Sequence, residues 1–575
     1  MRRLALLLVP LLLPWMAVAA EAAGTPPPSI DASTRRPSPP KLEGAPEDPL
    51  DRLNRPALDL APGEEPRITV RLMRGQPRVR LRAVGGGLAA SLRAGGVEGK
   101  SLHLPAEVWL TVGLEQHARG KRQQFPVVAE LPPDEAAALE AVVREWKGRD
   151  EAVKIVEVGS VFGLAGRVID TRQTLVLIDG PGSAQWASAA SDRVAAVLGR
   201  PPDLYEKVLE RASGELTLIR EDGSPVATAE SLASFRAEGE ESYLEIDEVE
   251  YGRGYDWHGR ERRSFFGTVH VAAGPEGLTV VNEVGLETLL RGVVPAETFA
   301  SAHAEALAAQ AVTARGEILA KVGTRHLGEP TLLCAEQHCQ VYKGTTASTA
   351  ATDAAVKRTR GKVLVEEDGS LVHAVYSAVC GGHTENNEVV WGGASRPALR
   401  GRLDFPAEGE WLRYAAGIGE RDLGSWLAAS PPAWCNRSSF RNASKFRWTK
   451  RMSAADVNRR VAHLGVGEVK ALEVSGRGVS GRVKALKIVG SRRTVTVHRE
   501  LPVRRLFGNL NSGMFVVAGE KDASGKIATW VFTGGGWGHG VGMCQVGAIG
   551  MAEAGHDHET ILRHYYNGAR IQRIY

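Results

Sequence analysis

The sequence predicts an α+β fold: a mixed, β-rich carboxy-terminal domain organised on a two-helix elbow, preceded by a separate α/β accessory domain. Three observations carry this. Residues 67 to 235 alternate strand-like and helix-like segments. Residues 240 to 575 hold many short β-rich runs separated by glycine-rich turns. Within them, Asn282 to Gly316 reads NEVGLETLLRGVVPAETFASAHAEALAAQAVTARG, two apolar helical faces in succession with a proline between them.

The chain opens with Arg2 and Arg3, an apolar centre from Leu4 to Val18, and small-residue cleavage sites at Ala17-Val-Ala19 or Ala20-Glu-Ala22. Residues 1–22 therefore read as a secretory signal. Pro10 and Pro14 interrupt a run already short for a membrane span, and an uncleaved anchor is the rival reading. No cysteine follows the apolar run, which argues against a lipoprotein. Residues 23–66 are proline-rich and poor in apolar surface, so they read as a semi-rigid, disordered tether. The expectation is an exported protein, in the periplasm or the cell wall. A net charge of +4, from 71 basic and 67 acidic residues, gives no case for a nucleic-acid partner.

In the accessory region RITVRL and EVWLTVGL read as strands, and PPDEAAALEAVVREW as a helix with Asp134 and Glu135 in its first turn. AVKIVEVG and TLVLIDG are strands, and SAQWASAASDRVAAVLG is a helix. That order loosely resembles the sporulation-related repeat domain, which binds peptide-stripped glycan strands; an accessory domain of another role is the alternative. SYLEIDEVEY, SFFGTVHVAA and GLTVV then lead as strands into the second domain.

The elbow follows. Leu286, Leu289, Leu290, Val293 and Val294 share one helical face, and Pro295 is expected to end that helix. A second helix, with Ser301 as N-cap, buries Ala304, Leu307, Ala308, Ala311, Val312, Ile318 and Leu319. Glu297 falls between them, with Val294 and Phe299 near enough in sequence to dry its surroundings. Burial raises a carboxyl pKa toward neutrality, as a general acid needs. Taken alone, a glutamate between two helices is most often solvated. Further on, KVLVEED and LVHAVYSAV read as strands, the second with His373, Val375 and Ser377 on one face and Val372, Ala374 and Tyr376 on the other. Cys380-Gly381-Gly382-His383-Thr384-Glu385-Asn386 follows, with glycines that bring backbone close to a ligand or simply turn the chain. Residues 416–515 form a connecting subdomain, and helices are expected at 546–555 and 557–566.

Six stretches, VVNEVGLETLLRGVVPAE, EALAAQAVTAR, HCQVYKG, CGGHTEN, GGGWGHGVGMCQVGAIGMAEAG and ILRHYYNGARI, resemble in order the stage II sporulation protein D family (SpoIID/LytB domain). The resemblance covers roughly residues 240–575. It implies a peptidoglycan lytic transglycosylase in which Glu297 is the catalytic acid/base. It also implies a substrate groove to which Gln310, Arg315, Tyr376, Ser377, Gly381, Gly382, Thr384, Glu385 and His539 are candidates. For Gln310 and Arg315 the alternative is a polar helix face in solvent, and for Tyr376 a place in the core. Glu385 is a substrate contact or a structural acceptor rather than a second catalyst, and a lone histidine such as His539 in a glycine-rich loop is more often structural. Part of the family is described as activating a cell-wall amidase, so a non-catalytic activator and a pure glycan binder remain open. The TFAS after Glu297 departs from the E-M-P-x-x-W-like continuation of the family.

His326, Cys334, His338 and Cys339 place two thiols and two imidazoles within fourteen residues, a set suited to structural zinc. The alternative is a Cys334–Cys339 disulfide. Cys380 and Cys544 stand where the family usually reads serine. Because those motifs are thought to border one groove, the resemblance suggests a Cys380–Cys544 bridge, with Cys435 as competitor and free buried thiols as the third outcome.

Overall fold

The computed structural model describes residues 47–56, 58, 65–133, 135–164, 167–198, 201–253 and 257–575. The signal segment, most of the tether and Asp134 lie outside the described residues. The end of the tether is ordered, contrary to expectation. Pro49–Leu53 is a short helix capped by Asp48, and Leu50 and Leu53 are buried against Leu232 and Ala272. Arg93 holds its cap through an ion pair to Asp48 at 2.7 Å.

The domain boundary also differs from the sequence reading. Arg67–Gln76 pairs antiparallel with Gly277–Gly285, so the first strand of the supposed accessory domain belongs to the later core. A seven-stranded sheet runs in the order Leu333–Cys334, Arg67–Gln76, Gly277–Gly285, Thr268–Gly274, Leu232–Ala237, Leu88–Ala94, Val97–Leu104. A six-stranded sheet runs Pro225–Glu230, Ser213–Arg220, Leu110–Ala118, Arg78–Val84, Tyr243–Tyr251, Gly259–Phe265. The two share one core through Ile68, Leu81, Leu110, Leu218, Phe235, Ile246, Val269 and Val280. SFFGTVHVAA, expected as one strand, breaks at Gly267, which adopts φ +82°. The strand apolarity was legible; which strands pair across two hundred residues was not, because alternation names a face and not a neighbour.

What remains separate is smaller. Apart from a hairpin, Val161–Leu164 with Arg167–Asp170, whose Phe162 and Ile169 join the main core, Lys121–Leu131, Ala136–Lys147, Val153–Val158, Gln173–Ile178, Ala184–Leu198 and Leu204–Glu210 follow one another as strand, helix, strand, strand, helix, strand. The four strands make an antiparallel sheet in the order fourth, first, third, second, a ferredoxin-like arrangement with its own core around Phe125, Leu177 and Val176.

Leu286–Glu297 is one uninterrupted helix with Pro295 in its last turn. Proline is tolerated there because only one intrahelical bond is lost before the helix ends, so Glu297 is its final residue rather than part of a loop. The next helix, Ala304–Ala320, is capped by His303 rather than Ser301: His303 Nδ1 accepts from Glu305 N at 3.3 Å. It is buried from Ala306 to Ala320 on every side. Neighbours explain this, since Leu286–Glu297, Ala350–Arg358, Lys362–Val365, Gln545–Glu553 and His558–Tyr565 all pack around it. LVHAVYSAV is mostly irregular, with only Tyr376–Ser377 forming a strand, parallel to Met543–Cys544. A second core gathers Trp448, Val457, Ile488, Phe507, Phe515 and Phe532, so the connecting subdomain centres on about 447–532. No helix among the described residues is long and apolar enough to cross a membrane.

Candidate functional site

Glu297 is delivered to its place by the last turn of Leu286–Glu297, and Val293 and Val294, one turn back on the same side, are buried in the core. Its Oε1 accepts from Val341 N at 2.6 Å. Burial, the largest influence, raises its pKa; the Val341 amide, the Lys321 ammonium and the Tyr376 hydroxyl only partly oppose that. None of these groups is a carboxylate. Val294 is fully buried, but Phe299 does not close over the site: it is 49% exposed, with its ring 5.0 Å from that of Phe440.

Several candidates converge here. Gln545 Nε2 donates to the Glu297 carbonyl at 2.8 Å and to Gln310 Oε1 at 3.1 Å. The Tyr376 hydroxyl is near enough to Glu297 to pull its pKa down, and the Tyr376 carbonyl accepts from His539 Nε2 at 2.9 Å. His539 Nδ1 accepts from Val541 N at 3.0 Å, which assigns the proton to Nε2. Burial lowers the His539 pKa to about 3, so the ring is neutral and positions the loop. The exposed Trp391 ring lies 4.9 Å from His539. Ser377 Oγ accepts from Gly540 N at 3.1 Å, tying the same loop from the other side.

Others lie elsewhere. Gln310 and Arg315 do not form a solvated face. Arg315 is 0% exposed and forks onto Glu287 at 2.9 and 2.7 Å, at the far end of the first helix. It shapes the helix pair and cannot reach a ligand. Thr384 exchanges bonds with Arg402: its Oγ1 donates to the Arg402 carbonyl at 3.2 Å and accepts from Arg402 N at 2.9 Å. The Glu385 carboxylate accepts from Asn386 N, Val479 N, Ser480 N and Ser480 Oγ at 2.7–3.2 Å. That is the structural acceptor of the two readings. Gly381 and Gly382 adopt φ of +81° and +99°, and a Cβ on Gly382 would meet the Trp426 ring at 2.8 Å. They turn and pack the chain rather than admit a ligand.

Lys321, Val341 and Gln545 were not singled out by sequence reasoning. Lys321 donates to the Cys339 carbonyl at 2.7 Å and pairs with the buried Glu317 at 2.8 Å. The only sequence signal was the i, i+4 spacing of Glu317 and Lys321 on an apolar helix. Gln545 stood inside GMCQ beside the cysteine that drew attention.

The ligand atoms of His326, Cys334, His338 and Cys339 all lie within 4.8 Å of one another. His326 Nε2 is 3.3 Å from Cys339 Sγ, and His338 Nδ1 is 3.6 Å from Cys339 Sγ and 3.9 Å from Cys334 Sγ. The two cysteines are free thiols, so the Cys334–Cys339 bridge is not formed. His326 turns the chain at φ +51° and its Nδ1 faces the ion pair of Arg71 and Glu329, with Arg71 Nη1 at 3.4 Å and the Glu329 carboxylate at 3.7 Å. Cys334 is on the edge strand that pairs with Arg67–Gln76. Two thiols and two imidazoles in this compass suit a four-coordinate cation.

The family description "Stage II sporulation protein" matches residues 275–365, and "Domain of unknown function (DUF8618)" matches residues 385–542. A protein of Brachyspira hyodysenteriae described as uncharacterized is 31% identical over 309 residues, 53% of this chain and 72% of that protein. The amidase enhancer of Bacillus subtilis is 29% identical over 49% of this chain and 40% of its own length. Stage II sporulation protein D of Bacillus subtilis is 28% identical over 51% of this chain and 75% of its own. The matched segment contains Glu297, its helix pair and the His–Cys cluster, and on these grounds the chain belongs to the stage II sporulation protein D family.

Proposed function

We propose that the protein is a cell-wall lytic transglycosylase that cleaves the β-1,4 bond between N-acetylmuramic acid and N-acetylglucosamine. The observation that carries this reading is the state of Glu297. Its carboxyl is desolvated and pushed up in pKa, and no carboxylate is among the groups acting on it. Hydrolytic glycosidases generally need two carboxylates. A transglycosylase needs one: the acid protonates the leaving oxygen, the muramic C6 hydroxyl attacks C1, and the carboxylate takes up the hydroxyl proton. The product is a 1,6-anhydro end and no water is consumed. Tyr376 and Gln545 hold the acid, while the exposed rings of Phe299 and Trp391 offer stacking faces for sugars. Zinc held by His326, Cys334, His338 and Cys339 is structural on this reading, since four protein ligands leave no open position.

Mass spectrometry of glycan digested by the pure protein tests the proposal. Anhydro ends are expected; reducing ends would make it a hydrolase. A second reading, activation of a cell-wall amidase, is favoured by the relative named amidase enhancer. Intact glycan together with a stimulated amidase would decide for it.

A further inference from the structure

Three cysteines remain outside the Glu297 site and the His–Cys cluster, and the fold brings all three together. Cys380, Asp404, Cys435 and Cys544 are buried, and their ligand atoms lie within 4.8 Å of one another. They come from four distant segments: the turn after Tyr376–Ser377, the loop at Asp404, the short helix Trp434–Arg437, and the N-cap of the helix Gln545–Glu553. Cys380 Sγ is 3.6 Å from Cys435 Sγ, and all three are free thiols, so the expected Cys380–Cys544 bridge is not formed. At a metal–sulfur distance of about 2.3 Å, the edge of a tetrahedron is about 3.8 Å.

We propose that Cys380, Asp404, Cys435 and Cys544 form a second, closed zinc site with three thiolates and one carboxylate. On binding, Zn²⁺ displaces the three thiol protons to solvent, and no electron is transferred. The surroundings are those of a ligating set. Asp404 Oδ1 accepts from the Tyr565 hydroxyl at 2.5 Å and Oδ2 from Cys435 N at 3.0 Å, which aims the carboxylate. Cys544 Sγ accepts from Cys380 N at 3.2 Å, a bond that favours thiolate. A doubly charged cation with three thiolates and a carboxylate carries two excess negative charges. The guanidiniums of Arg482 and Arg447 lie beside it: Arg482 donates to the Cys380 carbonyl and Arg447 to the Gly381 carbonyl, both at 3.0 Å. Among the described residues no cationic side chain pairs with the fully buried Asp404, and a buried unpaired charge is expensive. The site is structural, because all four positions are protein ligands. It fixes Cys544, and therefore the following Gln545 that bonds Glu297 and Gln310.

The proposal stands apart from the proposed activity and from the first cluster. Metal analysis of the full chain, purified without chelator, should give about two zinc per chain in the wild type and about one in Cys334→Ser/Cys339→Ser. Cys435→Ser should keep the zinc of the first cluster and lose the other. X-ray absorption at the zinc edge of the wild type reads the same site with no substitution, and so survives a variant that fails to fold. Zinc with three sulfur neighbours, alone or averaged with the two-sulfur site, supports the assignment. Zinc with two sulfurs only, no zinc, or a Cys380–Cys435 disulfide mapped in the native protein would overturn it.

Discussion

The helix Leu286–Glu297 carries a glutamate at each end, both largely buried, and their fates are opposite. Glu287 is paired: although burial pushes its carboxyl up, Arg315, the Tyr575 hydroxyl and the Gly361 amide outweigh that and bring it below the usual range. Glu297 meets one backbone amide, a tyrosine hydroxyl and a more distant ammonium, and burial wins. The same residue type in the same helix becomes a fixed charge in one place and a proton donor in the other. The difference is the guanidinium and not the depth. Such divergence between neighbouring acids is how one fold separates structural from chemical carboxylates.

The largest break in that comparison is Glu297→Gln. It keeps shape and removes the proton, so turnover on denuded glycan should fall by about two to four orders of magnitude. Folding should be untouched. Glu297 is raised above its unfolded pKa, so it favours folding at low pH and that contribution is lost as pH rises through the folded value. Melting of the Gln variant at alkaline pH should therefore be no lower than wild type. Retained wild-type turnover in a folded variant would remove Glu297 from the chemistry.

Arg315→Met attacks the other end. It strands the Glu287 charge in a dry site and should cost about 3–5 kcal/mol in denaturant unfolding. Glu287 is depressed, so its stabilising contribution is present at neutral pH and lost as pH falls through its folded pKa. Glu287→Gln should accordingly flatten the acid limb of the stability profile, which Glu297→Gln should not do.

Cys339→Ser sharpens the contrast through the metal. It should lower zinc content by about one equivalent and lower the melting temperature. Activity should fall as well, because Val341, two residues on, supplies the amide to Glu297. Metal loss with unchanged kcat/KM would show that the loop holds its shape without the ion.

The smallest expected effect is Tyr376→Phe. Removing a hydroxyl that opposes the rise in the Glu297 pKa should push that pKa further up. The alkaline limb of kcat/KM, which reports protonated Glu297, should move to higher pH. A downward move would mean that Tyr376 sustains the neutral acid.

Local physics made much of this legible in the sequence. Helical apolar spacing marked the two helices to within a few residues, and glycine and proline marked the turns between strands. Motif order marked Glu297, and the spacing of two histidines and two cysteines marked their cluster. The misses share one cause. Pro295 was read as a stop, yet a proline in the last turn leaves the helix two further residues. Arg315 was read as groove or solvent, yet packing on every side of Ala304–Ala320 buries it against Glu287. Residues 67 to 118 are expected in an accessory domain, yet their strands pair with later ones at 232–251 and 277–285. Periodicity along a chain says which side of an element is apolar, because that depends on nearest neighbours in sequence. Which surface it meets, which charge it pairs with and which thiols gather are set by contacts from tens to some two hundred residues apart. Only the tertiary structure places Cys435 beside Cys380 and Cys544, and Arg315 rather than solvent beside Glu287.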